Sequence, residues 1–231
     1  MLMLSLDSSG VTAAAAVTRD GDVIAEAFDK GGLTHSQGLM PMIEKMLAEC
    51  KVDISEIDEF AFTVGPGSFT GVRIGAALMM GLAGDRPCRP VSTLAALASR
   101  HWDRKGIVMA VLDARNSLVY SATFINDGKR LYRFTEDLHE RVERARLRCH
   151  GNTKQTWFEG SGAALMKKPY ARFKNFHFPR KKTDVFVHGA DVARAAMLVE
   201  PVRAEDVRLN YVKLPQAEIE RRKKNESQSR M

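Results

Sequence analysis

A chain of 231 residues suits one large domain or two smaller lobes, and its 45% apolar and 27% charged residues are ordinary for a soluble globular protein. This composition argues against fibrous and disordered proteins, and three scattered cysteines argue against a disulfide framework or a zinc ribbon. The net charge of +7 is unevenly divided, since residues 1–100 carry −4 and residues 101–231 carry +11. We expect the second half to face a polyanion, although solubility alone could explain part of the excess.

The N-terminus is apolar but lacks a basic start, and Asp7 falls inside what would be the core of a signal peptide. No run of about 18 apolar residues, the length needed to span a bilayer, occurs in the sequence. We therefore predict a cytoplasmic protein without membrane contact.

The first half shows strand patterns, a hairpin signal and two helical segments. Asp20-Gly21 between two apolar runs is typical of a β-hairpin, because glycine adopts a positive φ without steric cost. An amphipathic stripe from Leu39 to Cys50 indicates a helix that begins near Ser36 to Gly38. The predicted elements are strands at 1–6, 13–18, 23–28 and 60–64 and helices at 36–50 and 70–84, in the order βββαβα.

The second half repeats this opening. An apolar run ends at Asp113 as the first one ends at Asp7, and the distance from this Asp to the hairpin glycine is 14 residues in one half and 15 in the other. We predict duplicated βββα units, with a first lobe at 1–104, a basic second lobe at 105–214 and a polar tail at 215–231. The predicted elements of the second half are strands at 107–112, 118–125 and 129–134 and helices at 136–148 and 187–198.

Duplicated βββα units whose first strands end in Asp match the two-lobed, actin-like α/β fold, which carries the ribonuclease H-like motif. There a carboxylate can hold a metal–phosphate complex while backbone N–H groups of the next turn approach the phosphate. Asp7, Ser8 and Ser9 fit this role, or Asp7 could simply cap a turn. The second loop, 113–117, contains no glycine, which counts against a close fit around phosphate, and Arg115 could contact phosphate or pair with a carboxylate.

The densest motif is Gly-rich and occupies residues 65–75. It follows a strand and opens a helix, which is the setting of many anion sites, but it matches neither a Walker A loop nor G-x-G-x-x-G. It could equally be a tight turn whose glycines permit close helix packing. The candidate anion-binding residues are Gly65, Gly67, Ser68, Gly71 and Arg73.

The helix after this motif has apolar residues around its whole circumference. Such a helix must be covered on every side, so a second protein could cover one face, or the two first-lobe helices could cover only each other. Methionine in the earlier helix suits an adaptable contact surface. The predicted partner interface consists of Leu39, Met42, Ile43, Met46, Leu47, Ala76, Ala77 and Met80.

Five segments, at 4–9, 35–41, 64–75, 91–94 and 113–115, closely resemble the TsaB (YeaZ) family, the dimerisation subunit of the bacterial machinery that makes threonylcarbamoyladenosine in tRNA. The resemblance implies an actin-like, non-catalytic subunit that forms a heterodimer with the catalytic subunit TsaD, with the ATPase TsaE completing the assembly. It implies tRNA contact through the complex, no required cofactor, and ATP or ADP that could bind at the partner interface. The chain could form a homodimer when alone.

Two departures bear on catalysis. The catalytic paralogue holds a metal with two histidines four residues apart, whereas here His35 is followed by Leu39, so we predict no metal site. A late motif that usually ends in arginine is here Tyr211-Val212-Lys213. The rival interpretation is an enzyme: a nucleotide-hydrolysing relative of sugar kinases, or a glycoprotease-like metalloprotein.

Residues 165–182 combine seven basic residues with four aromatic ones and contain no acidic residue. This composition suits phosphate contacts and base stacking, but an outer strand with its lysines in water would show the same pattern. The candidate tRNA-contacting residues are Lys167, Lys168, Arg172, Lys174, Lys181 and Lys182.

Overall fold

The structure is a computed structural model that describes residues 1–30 and 34–212. Its first sheet has five strands in the order β3-β2-β1-β4-β5. The first three strands are antiparallel and the last two run parallel to β1, so the chain crosses over to add them. The strands are β1 (Leu2–Asp7), β2 (Ala13–Arg19), β3 (Asp22–Asp29), β4 (Glu59–Thr63) and β5 (Cys88–Val91).

The second sheet repeats the antiparallel opening and extends it on both sides. Its order is β11-β10-β6-β7-β8, and β9 pairs with the other half of β7. Strand β10 runs parallel to β6, as β4 does to β1 in the first sheet. The strands are β6 (Gly106–Asp113), β7 (Leu118–Asn126), β8 (Leu131–Arg133), β9 (Leu138–Arg141), β10 (Thr156–Glu159) and β11 (Phe176–His177).

Six α-helices pack on these sheets in the described part of the chain. The first two predicted helices are confirmed with their ends shifted by about one residue. None of the described helices is long and apolar enough to cross a bilayer. They are α1 (His35–Cys50), α2 (Phe69–Ala83), α3 (Thr93–Ser99), α4 (Val142–Leu147), α5 (Ala163–Tyr170) and α6 (Gly189–Ala196).

The helix predicted at 136–148 is wrong in its first half, which forms strand β9. Glu140 on this strand is buried and hydrogen-bonds with Ser121 of β7 and with Arg148. Pairing with β7 therefore overrides the helical tendency of this charged segment, and within it only α4 is helical. The sequence patterns also missed β5, α3, β10, α5 and β11.

Three apolar cores fix the relation of sheets and helices. Helices α1 and α2 cover one face of the first sheet, and α4 and α5 cover the outer face of the second. Helices α3 and α6 lie between the two sheets and contribute to one shared core. All seven residues of α3 are buried, which joins the lobes through packed apolar surface.

The end of the described chain returns to the first sheet. Val202 bridges Cys88 of β5, and the Asn210 amide donates to the Val64 carbonyl at 2.7 Å. Earlier, the Ser5 hydroxyl donates to the Gly189 carbonyl at the start of α6. Lys213 and the predicted polar tail lie outside the described residues, and the lobe boundaries at 104 and 214 remain predictions.

Candidate functional site

A cleft of about 460 Å³ opens between the two sheets, at the ends of β1 and β6. Asp7 and Asp113, which end these strands, both line it, together with Arg115 from the loop after β6. The duplicated pattern in the sequence therefore places two carboxylates in one cavity. Gly67, Ser68 and Val187 also line it.

Asp7 is 2% exposed and is held by three hydrogen bonds to one oxygen, Oδ1. The Ser9 hydroxyl and the Thr63 hydroxyl each donate to it at 2.7 Å, and the Ser9 amide donates at 3.2 Å. Burial raises the pKa of the Asp7 carboxyl above its ordinary value, and these hydrogen bonds oppose the rise. A carboxyl that is buried in a cleft and has a raised pKa is typical of a functional position.

Thr63 is a site residue that the sequence patterns missed. It ends β4, which pairs in parallel with β1, so both strands deliver their last residues to the same sheet edge. The sequence could have indicated this position, because a strand that pairs in parallel with β1 ends at the same sheet edge as Asp7. The Ser161 hydroxyl, which accepts a hydrogen bond from the Asp113 amide, was missed because β10 was not predicted.

The glycine-rich motif packs directly on the loop after β1. A Cβ at Gly67 would overlap the Ser9 carbonyl oxygen, one at Gly71 would overlap that of Ser8, and one at Gly75 would overlap the Ser8 hydroxyl. Gly67 lies just before α2, and the other two follow at four-residue intervals on the helix face that approaches β1. These contacts favour the packing interpretation of the motif.

The first turn of α2 uses much of its hydrogen-bonding capacity within the chain. The Ser68 amide donates to the Ser9 carbonyl at 2.7 Å, the Gly71 amide to the Ser68 hydroxyl, and the Val72 amide to the Ser68 carbonyl. Gly65, with φ of 105°, lies against Asn210. Arg73 stacks over Phe69 with 4.8 Å between the guanidinium carbon and the ring centre. The amides of Ser68, Gly71 and Val72 are therefore not available to an anion.

The loop after β6 folds more tightly than its lack of glycine predicted. Although it contains no glycine, Arg115, Asn116 and Ser117 have φ values of 67°, 51° and 59°, so three L-residues in succession adopt the left-handed conformation. The Asp113 carboxylate accepts a hydrogen bond from the Arg115 amide at 2.7 Å and supports this turn. Arg115 is exposed beside the cleft, and the described residues give it no ion pair, so it could still contact phosphate.

The predicted partner interface divides into two groups. Met42 and Met80 are half-buried and Ala77 is exposed, so these three are accessible. The other five cannot contact a partner in this conformation, because they pack inside the first-lobe core against β1 and β4; they are Leu39, Ile43, Met46, Leu47 and Ala76.

The basic segment is mostly not a strand. Tyr170, Phe176 and Phe178 pack with Phe158 in an aromatic cluster, with ring centres 4.6–6.0 Å apart. The aromatic residues therefore serve largely as core. Lys167, Lys168, Arg172, Lys174 and Lys181 are exposed, whereas the side chain of Lys182 lies outside the description.

No group of three or more His, Cys, Asp or Glu side chains that could hold a metal occurs in the described residues. The His35 ring lies against the loop after β1, with Nε2 at 3.0 Å from the Gly10 carbonyl oxygen. Its neighbour four residues on, Leu39, is in the core.

Comparisons with known proteins agree with this geometry. Residues 25–211 match the family described as "TsaD: tRNA N6-adenosine threonylcarbamoyltransferase". The chain is 33% identical over 155 residues to the tRNA threonylcarbamoyladenosine biosynthesis protein TsaB of Escherichia coli, covering 62% of this chain and 67% of that protein. The chain belongs to the TsaB (YeaZ) family. Its Bacillus subtilis relative of the same name is 35% identical over 62% of this chain and 59% of its own length.

The match to YeaZ from Pseudomonas aeruginosa extends further in structure. It has a TM-score of 0.74 and 27% identity, and it covers 89% of this chain and 98% of that one. The aligned sequences span only about three fifths to two thirds of the two curated relatives. The fold is the two-lobed actin-like fold that the duplicated pattern predicted. Membership of the family supports involvement in tRNA threonylcarbamoyladenosine biosynthesis.

Proposed function

We propose that the chain is a non-catalytic subunit that dimerises with the catalytic subunit TsaD and supports it, in an assembly that includes the ATPase TsaE and acts on tRNA in the cytoplasm. The observation that carries the proposal is the outward face of α2, where Ala77 and Gly81 are exposed between half-buried Leu78 and Met80. Small residues flanked by apolar ones on an exposed helix suit the close approach of another helix.

Gly81 supports the interpretation of this face as an interface. A glycine in the interior of a helix costs about 0.5–1 kcal/mol relative to alanine. The other glycines of α2, Gly71 and Gly75, have neighbours that a side chain would strike, but a Cβ at Gly81 would meet nothing within 4 Å. Nothing in the described chain therefore requires glycine at this position, and a closely packed partner helix would.

The test is co-purification with TsaD. Ala77→Arg places a long charged side chain on this face without disturbing the core, because Ala77 is exposed. We expect it to abolish association while the melting temperature of the isolated chain stays within about 2 °C of wild type. The matched control is Ala164→Arg, the same substitution at an exposed alanine of α5 in the other lobe.

Undiminished association of Ala77→Arg, or equal loss in both variants, would refute the interface. Size-exclusion chromatography of the chain alone shows whether the same face pairs two copies when TsaD is absent, since Ala77→Arg then shifts a dimer to a monomer. Appreciable ATP turnover by the isolated chain would favour the enzyme alternative, with the cleft at Asp7 as its site.

A further inference from the structure

A second cavity, of about 890 Å³, lies in the second lobe and shares no lining residue with the cleft between the lobes. Strands β10 and β11 form one wall, and the residues that follow α3 form another. The basic segment at 165–182 supplies half of its lining residues, although the sequence did not predict a cavity there. Its residues lie far apart in the chain, from Arg100 to Asp184, and only the fold brings them together.

The charges at the base of this second-lobe pocket neutralise one another. Glu159 accepts a hydrogen bond from Arg100 at 3.1 Å, and its other oxygen lies 2.7 Å from His101 Nε2. Arg100 also pairs with the buried Asp191. The carboxylate at the base is therefore already satisfied and does not oppose the binding of an anion.

The exposed cations that line the pocket have no close ion pair among the described residues. Lys167 and Arg180 are exposed, and the described residues provide no ion pair for either. Arg104 lies 4.0 Å from Asp103, with both side chains 57% exposed, so that pair is weak. The pKa of His177, which also lines the pocket, is lowered first by burial and then by electrostatic interaction with its neighbours, including Arg104 and Arg180. With four basic side chains (Arg100, Arg104, Lys167 and Arg180) against the carboxylates of Glu159 and Asp184, the lining has a net positive charge.

Three stacked aromatic rings contribute to the lining of the pocket. The Trp157 ring stacks on His101 and on His177, with ring centres 5.3 Å apart in each pair and interplanar angles of 27° and 19°. Gly106 lies beneath the indole, where a Cβ would come within 2.5 Å of Cζ3, so the ring packs directly on the backbone. His101 is 7% exposed, and its Nδ1 has no hydrogen-bond partner among the described residues. Nucleobases stack on aromatic side chains of this kind.

We propose that the second-lobe pocket binds a nucleotide, with its phosphate on Lys167, Arg180 and Arg104 and its base against the rings of Trp157 and His177. Basic side chains around aromatic rings recognise a phosphate and a base together. A free mononucleotide and an unstacked nucleotide of an RNA loop present the same chemistry. The RNA source rests on the proposed function in tRNA modification, whereas the mononucleotide source does not.

The experiment follows the fluorescence of Trp157 in full-length protein carrying Trp102→Phe, since the chain contains two tryptophans. AMP, ATP and an unmodified tRNA transcript are titrated separately at physiological ionic strength. The test variant is Lys167→Glu with Arg180→Glu. The control is Lys129→Glu with Arg130→Glu, which changes the charge equally at one exposed lysine and one exposed arginine of the same lobe that do not line the pocket.

We expect at least one probe to quench Trp157, and the test variant to bind it at least tenfold more weakly than the control variant does. Binding of AMP or ATP assigns the site to a free nucleotide, and binding of tRNA alone assigns it to an RNA loop. Equal losses in the two double variants, or no binding of any probe by the parent protein, overturn the proposal. Failure of the TsaD interface test leaves the mononucleotide result unaffected, so the two proposals can fail separately.

Discussion

At the scale of single residues, the cleft contains a buried carboxyl that lowers the stability of the fold. Asp7 is buried with its carboxyl hydrogen-bonded by Ser9 and Thr63, yet burial still raises its pKa. An acid whose pKa is raised on folding destabilises the fold once the pH exceeds the pKa of the unfolded chain, about 3.9. The stability is greatest when the group is protonated and is lost as the pH rises through the pKa of the folded state.

Asp7→Asn should therefore raise the melting temperature at pH 7.5, and the gain should shrink progressively as the pH falls toward 4. The asparagine oxygen can accept the same hydrogen bonds from Ser9 and Thr63 without a charge. Thermal unfolding across this pH range measures the effect. Asp113→Asn, at the exposed carboxyl across the cleft, is the control and should change little at either pH. A lower melting temperature of Asp7→Asn at pH 7.5 would contradict the argument.

At the scale of elements, α2 has two faces with opposite demands on glycine. Gly71 lies where a Cβ would overlap the Ser8 carbonyl oxygen and come within 3.0 Å of the His35 ring, whereas Gly81 faces open space. The same substitution should therefore have opposite effects at these two positions of one helix.

Gly71→Ala should destabilise the chain by about 1–3 kcal/mol, because the overlapping atom belongs to backbone and cannot move aside. Gly81→Ala should stabilise it by about 0.5–1 kcal/mol through helix propensity alone. Urea unfolding of the two variants and the parent gives both free energies. Destabilisation by Gly81→Ala would show that this position has an intramolecular role and would weaken the case for a partner helix.

Sequence patterns predicted the elements that repeat or alternate clearly. The hairpins, the ends of β1 and β6, and helices α1 and α2 followed from apolar spacing and turn residues. Strand β5 was missed because it is four residues long and contains Pro90. Helix α3 was missed because all of it is buried between two sheets, so it lacks the polar face that makes a helical periodicity visible. Thr63 and Trp157 acquire their roles only from strand pairing.

At the scale of the whole molecule, Arg100 joins parts of the chain that lie far apart. It follows α3 and bonds to Glu159 at the end of β10, to Asp191 in α6 and to the backbone of Asp184 and Phe186. The side chains of Glu159 and Asp191 are only 8% and 5% exposed, so their charges depend on this partner.

Arg100→Ala should cost about 3–5 kcal/mol, because it leaves two buried carboxylates without their main cation. Arg104→Ala, four residues further on and 57% exposed, should change the free energy of unfolding by about 0.5 kcal/mol or less. Chemical denaturation of both variants measures the difference. Similar small effects of the two substitutions would mean that Arg100 does not link the lobes energetically.

The return of the chain to the first sheet has a consequence for its synthesis. Helix α6 covers β1 and β2, and Asn210 hydrogen-bonds beside the glycine-rich motif. A growing chain therefore cannot cover β1 and β2 with α6 until synthesis has passed residue 196. Until then the inner face of β1 and β2 lacks its cover, and during that interval the nascent protein exposes the apolar surface that chaperones bind.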